Sequence, residues 1–197
     1  GDITHTVLLR ILTLTFFDFS IIISHLPESS SWSGAFFRCR MKELHRIFDQ
    51  RGVSMENVHF RNTEAFIEKA EKRFAQVKSE IMAILPGADV EHVGSTAVPG
   101  SLTKGDLDVQ VRVSPEEFPF AVEALSRRYA VNDGSIGTDT FRAFMDEQSD
   151  PPLGIQLTVR GSEYDFFWKV RDVLLMNEQY RREYDALKSA HEGKNMD

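Results

Sequence analysis

Residues Asp106 to Val113 alternate without a break. Asp106, Asp108, Gln110 and Arg112 fall on one side of an extended chain, and Leu107, Val109, Val111 and Val113 on the other. A face made only of Leu and Val demands cover, so this segment is expected to be a strand lying on a core. The opposite face opens with two carboxylates two residues apart. Like charges that close repel, and a divalent cation between or above them is the simplest way to keep both ionised. Ahead of them stands Gly94-Ser95, where glycine lets backbone N–H groups approach a phosphate and serine adds a hydroxyl donor. The stretch reads as a phosphate cradle followed by a metal-binding carboxylate pair.

Gly94-Ser95, ten intervening residues and then Asp106-Leu107-Asp108-Val109 resemble the signature of the nucleotidyltransferase superfamily, the DNA polymerase β-like fold. The string Gly94-Ser95-Thr96-Ala97-Val98-Pro99-Gly100, with Lys104 four residues before Asp108, resembles more narrowly the GrpB family of that superfamily, over roughly residues 65–191. The Asp-x-Asp element alone is a weak signal, whereas the seven-residue string is specific. The resemblance implies an α/β (α+β) fold, a small mixed β-sheet with helices packed on one side. It further implies Mg²⁺, with Mn²⁺ as a substitute, on the catalytic carboxylates Asp106 and Asp108. A nucleoside triphosphate would be the partner, its phosphates near Gly94, Ser95 and Lys104, and the acceptor is left unnamed.

Composition narrows the alternatives. The net charge of −7 gives no overall basic footprint for nucleic-acid binding. Cys39 is the single cysteine, which leaves no intrachain disulfide and no zinc cluster. Residues 1–40 differ from the remainder, with three basic and three acidic residues, so the charge imbalance lies beyond them. Their apolar run Leu8–Ser24 is interrupted by Arg10 and Asp18, a poor transmembrane span. It also lacks the basic n-region and clear cleavage site of a signal peptide. A single domain is expected over 41–197, with 1–40 an extension outside it, no transmembrane anchor and a cytoplasmic location.

Along the rest of the chain, Phe66, Ala70, Phe74, Val77, Ile81 and Ile84 recur every three or four residues, which predicts a core-packing helix capped by Asn62 or Thr63 and stopped at Pro86-Gly87. Asp89–Val93 is expected as a short strand. Ser114-Pro115-Glu116-Glu117 is a capping box that opens a helix through Phe118, Ala121, Leu125 and Tyr129. Thr140–Met145 and Ile155–Arg160 read as strands joined by the polar loop 146–154. A final helix starts near Ser162–Asp165 and is recapped at Asn177.

Each candidate has a plainer alternative. Asp106 and Asp108 could be a solvated strand face, although Asp is depleted in strands. Lys104 reads equally as a loop lysine or as a triphosphate contact. Arg142 is a candidate phosphate clamp through bidentate pairing, or else a surface ion-pair residue. His92 is expected to be structural. The superfamily resemblance also implies a third carboxylate on a later strand. The polar face of 155–160 offers only Gln156, Thr158 and Arg160, none of them a base at neutral pH. Asp146, Glu147 and Asp150 in the neighbouring loop are then the available substitutes. A nucleotide-binding module without turnover is the alternative to a transferase, and a metal-dependent glycosyltransferase a remote third.

Overall fold

The structure, a computed structural model, describes residues 61–62 and 66–191; the expectations for residues 1–40 and for a cap at Thr63 fall outside that range. The described chain divides at Arg181 into the unit that carries the sheet and the continuation of the last helix beyond it.

The long apolar stripe forms helix α1, Ile67–Ile84, and Ala70, Val77 and Ile81 are fully buried along it. Its start differs from expectation. Phe66 precedes the helix with no side-chain cap. Asn62 lies instead in strand β1, Arg61–Asn62, paired with Leu102 of strand β3, Leu102–Thr103. A residue whose backbone is committed to a ladder five residues upstream cannot cap the helix.

Strands β2 (Asp89–Val93), β4 (Leu107–Val113), β5 (Ala130–Val131), β6 (Phe141–Asp146) and β7 (Leu153–Val159) make one mixed sheet in the order β2-β4-β7-β6-β5. Only β4 and β7 run parallel. Val109, Val111, Val113, Ile155, Leu157, Val159 and Phe144 line its core face. Helix α1 and helix α2, Phe118–Ser126, cover it with Val77, Ile81, Phe118, Ala121 and Leu125. The capping box ahead of α2 is reciprocal: Ser114 N donates to Glu117 Oε2 at 3.0 Å and Glu117 N to Ser114 Oγ at 3.3 Å. Tyr129 falls beyond the helix end, where its hydroxyl reaches Glu80 Oε2 at 3.2 Å.

The other face of the sheet is the informative one. Gln156 and Thr158 do face away from the core, yet both are buried. The segment before helix α3, Phe167–Met176, lies over the Thr158 end of this row. Phe141, in register with Thr158, meets Tyr164 and Phe167 at ring distances of 5.0 and 6.2 Å. A polar row continues beside these rings. Gln110 Nε2 donates to Thr158 Oγ1 at 3.0 Å and to Asp165 Oδ1 at 3.1 Å, and its Oε1 accepts from Trp168 N at 2.9 Å. Arg112 forks onto Asp165 at 2.6 and 2.8 Å. Helix α4, Glu178–His191, closes the described chain. No described helix is long and apolar enough to cross a membrane.

Asp165 anchors this cover. Burial alone would raise its carboxyl, but the hydrogen bonds from Arg112 and the Gly161 N–H outweigh burial and hold it below the ordinary aspartate range. A depressed folded-state pKa contributes stability above the unfolded value, and that stability is lost as pH falls through the folded value. Asp165→Asn is therefore expected to cost roughly 3 kcal/mol at neutral pH, the scale for breaking one side of a buried pair. The gap to the parent should narrow on acidification below the carboxylate range. Urea unfolding at both conditions checks it; a gap independent of pH would count against this account.

Candidate functional site

The site forms where β2 leaves the sheet beside the start of β4. Val93 pairs with Asp108 across the antiparallel ladder, so the next residue, Gly94, passes directly over the Asp108 side chain. Its φ of 72° lies in the region that favours glycine. A Cβ there would collide with the Asp108 carboxylate and lie 2.8 Å from Asp108 Cβ. The chain then makes a 3₁₀ turn over Ser95–Ala97 and returns through β3. Ser95 Oγ donates to Thr103 Oγ1 at 3.4 Å, and the Gly105 N–H donates to the same oxygen at 3.0 Å. Arg181 Nη1 holds the far end of this loop through the Pro99 carbonyl at 2.8 Å.

Asp106 and Asp108 are 9% and 6% exposed. Lys104 Nζ lies 3.1 Å from Asp106 Oδ2. Gln156 Nε2 donates to Asp108 Oδ1 at 3.3 Å, while Gln156 Oε1 is buried with no hydrogen-bond partner. The structure thus brings Gly94, Ser95, Lys104, Asp106 and Asp108 to one end of the sheet. Among the described residues, no three His, Cys, Asp or Glu side chains gather as a metal-ligand group. Two carboxylates, a serine hydroxyl and an amide oxygen are nevertheless hard oxygen donors. That set suits Mg²⁺, which takes one or two carboxylates and completes its shell with water and phosphate oxygens. The unpartnered Gln156 Oε1 beside Asp108 is in keeping with that fit.

Two sets of candidates are not brought there. Arg142 is in register with Leu157, hence on the core-side face, and β7 separates its strand from β4. Its guanidinium lies against Gly137, where a Cβ would collide with it. The expectation of a phosphate clamp is corrected by strand parity: one position earlier or later would have faced the carboxylates. Two of the three loop acids are engaged elsewhere, while Glu147 Oε1 is buried without a hydrogen-bond partner. Asp146 Oδ1 accepts from the N–H groups of Gln148 and Ser149 at 3.1 and 3.2 Å, and Asp150 pairs with Lys69 of α1. Asp146 follows the core-side register, opposite Leu153. Neither is placed to serve as a base at Asp108.

The residue that sequence reasoning underrated is Gln156. Of the three polar-face residues of 155–160 where a third carboxylate was expected, it is the one whose side chain reaches Asp108. Only the parallel register of β4 and β7, which sets Gln110 against Gln156 and Asp108 against Gly154, reveals that neighbourhood. Thr96 is the other. Its hydroxyl donates to the Asp106 carbonyl at 2.9 Å.

A sheet of this order with a glycine-serine turn folded onto a carboxylate strand defines the class. The family model described as GrpB protein matches residues 64–197, and the chain belongs to the GrpB family. A UPF0157 protein of Vibrio cholerae is 32% identical over 137 residues, covering 68% of this chain and 71% of that one. The crystal structure of GrpB from Enterococcus faecalis is 20% identical with a TM-score of 0.49, covering 62% of this chain and 79% of that chain. A Cid1 poly(U) polymerase structure is 9% identical with a TM-score of 0.43, covering 71% of this chain and 43% of that one.

Gly94 gives a direct test of the cradle. Gly94→Ala adds a Cβ where Asp108 stands and demands a strained φ, a cost of about 1–3 kcal/mol. The expected result is a moderate fall in thermal stability together with loss of any nucleotide binding the parent shows. Retained nucleotide affinity in a folded variant would remove Gly94 from the site.

Proposed function

We propose that this protein binds a Mg²⁺–nucleoside triphosphate at the Gly94–Asp108 site and is built for transfer of a nucleoside monophosphate to an acceptor hydroxyl. The observation that supports the reading is the packing of Gly94 on Asp108, which makes cradle and carboxylates one site. Asp106 and Asp108 would hold the cation, which when bound neutralises charge on the phosphates. The Gly94 backbone and the Ser95 hydroxyl would orient the phosphate tail. Lys104, now paired with Asp106, is within reach to shift its charge to the phosphates as the cation takes over that carboxylate. In the transfer itself the acceptor oxygen attacks the α-phosphorus, its proton passing to water, the bond to the β-phosphate breaks, and pyrophosphate leaves.

A second reading, binding without turnover, is favoured by Gln156. An amide cannot take the acceptor's proton, Asp146 and Asp150 are tied down elsewhere, and Glu147 is the one loop acid that remains as a base. Nucleotide should therefore bind far more readily than it is transferred. Calorimetric titration with ATP, GTP, CTP and UTP, with and without Mg²⁺, tests binding; pyrophosphate release across an acceptor panel then separates the two readings. Absence of Mg²⁺-dependent affinity for all four would sink both.

A further inference from the structure

We propose that Thr96, itself held by His92, is a positioning residue for Asp106, its hydroxyl fixing the backbone from which that carboxylate enters the nucleotide site. The inference rests on the reading of Asp106 as a ligand of the Mg²⁺–nucleotide. Strand pairing on the β7 side begins at Leu107, so Asp106 sits just outside the ladder. The hydroxyl of Thr96, 2% exposed, reaches its carbonyl at 2.9 Å. Thr96 lies in the turn that follows Gly94 and Ser95. This hydrogen bond therefore adds, beside the β2–β4 ladder, a tie from the phosphate cradle to the backbone of Asp106. Groups that act on metal ligands from behind in this way change metal affinity by about 10–100-fold.

His92 holds Thr96 from the other side, with Nε2 3.1 Å from Thr96 Oγ1. Three residues on two helices fix the ring and its backbone. Phe74 of α1 stacks on it at 5.1 Å, Glu71 Oε1 stands 3.0 Å from Nδ1, and Arg171 of α3 donates to the His92 carbonyl at 2.9 Å. A proton count makes the arrangement directional. Thr96 has one hydroxyl hydrogen and two acceptors in reach, the Asp106 carbonyl and His92 Nε2. To give it to Asp106, Nε2 must carry its own hydrogen, and Nδ1 then faces the Glu71 carboxylate. An imidazolium satisfies both sides. In the neutral ring Nδ1–H donates to Glu71, Nε2 becomes an acceptor, and the Thr96 hydrogen turns away from Asp106. The charged groups facing the ring are Glu71 of α1, Arg171 of α3 and the adjacent Glu91, which pairs with Arg171 at 2.8 Å. Burial is the largest influence and lowers the His92 pKa, Glu71 opposes it, and Arg171 adds to the lowering. The Thr96–Asp106 bond accordingly closes as pH falls below the ordinary histidine value.

The test compares the parent with Thr96→Val, Thr96→Ser and His92→Gln, and has two readouts. In the metal-free protein, the carbonyl ¹³C resonance of Asp106 should move in Thr96→Val and return in Thr96→Ser. In the parent it should titrate with His92. Calorimetry with Mg²⁺ and ATP, at a pH where His92 is protonated, should show Thr96→Val weakened roughly tenfold and Thr96→Ser near the parent, while His92→Gln lacks the parent's pH step below the histidine range. With His92 protonated, an Asp106 resonance indifferent to Thr96→Val, or a Mg²⁺–ATP affinity changed less than about twofold in it, overturns the proposal. Should Thr96→Val fail to fold, loss of the pH step in His92→Gln supports the relay and its persistence overturns it. A parent that binds no Mg²⁺–nucleotide overturns the functional reading and with it the role of Asp106. The carbonyl resonance, which needs no ligand, tells that outcome from failure of the Thr96 bond.

Discussion

Asp108→Asn should abolish Mg²⁺-dependent nucleotide binding while the protein stays folded. One unit-charge interaction at ~4 Å in a partly buried site is worth about 4 kcal/mol, and so about a thousandfold in affinity. The substitution is nearly isosteric, leaves the Gly94 backbone undisturbed, and keeps an oxygen for Gln156 Nε2, which lies 3.3 Å from Asp108 Oδ1. It also relieves repulsion with Asp106, so the unfolding midpoint should hold or rise slightly. Calorimetry and thermal unfolding on the same preparations check both halves. Unchanged Mg²⁺–nucleotide affinity in Asp108→Asn and in Asp106→Asn alike would remove the carboxylate pair from the site.

Gln156→Glu is expected to act in the opposite sense on chemistry. The new carboxylate stands beside Asp108 on the same buried face, and a correctly placed general base contributes roughly 10²–10⁴-fold. Pyrophosphate release with a competent acceptor should rise toward that range. Without metal the variant carries three carboxylates in one corner, so a carboxyl pKa there is pushed up. A raised folded-state pKa on an acid destabilises at pH above that value, and the penalty vanishes below the unfolded value. The metal-free variant should thus melt lower than the parent at neutral pH, recover on acidification, and gain more from Mg²⁺ than the parent does. Brisk transfer by the parent itself, surviving replacement of Asp146, Glu147 and Asp150, would instead show that neither Gln156 nor those acids limit the reaction.

Because these two substitutions sit on adjacent strands and touch, their effects should not add. In Asp108→Asn/Gln156→Glu the second carboxylate is restored from the other strand, and partial return of metal-dependent binding is the expected result. That double variant separates loss of charge from loss of geometry.

What the chain reveals by itself is what neighbours in sequence decide. The alternation of 106–113 marked a strand with one apolar face because successive side chains must point opposite ways, and Leu107, Val109, Val111 and Val113 are all buried. The helix over 67–84 and the capping box at Ser114 and Glu117 are equally local. So is Gly94: a glycine and a serine set off from Asp106 by ten intervening residues are a pattern of spacing alone. Tertiary structure decided the rest. Arg142 has the right chemistry for a phosphate, yet strand parity and the order β4-β7-β6 put it on the other face. Asp146 and Asp150 have the right charge, but the loop turns them toward its own N–H groups and toward Lys69. Gln156 gained its place only through the parallel register of β7 on β4. Periodicity says that a residue changes face at each step. Which strand lies alongside, and what packs above it, depends on contacts between residues about fifty positions apart, and local pattern carries no information about those.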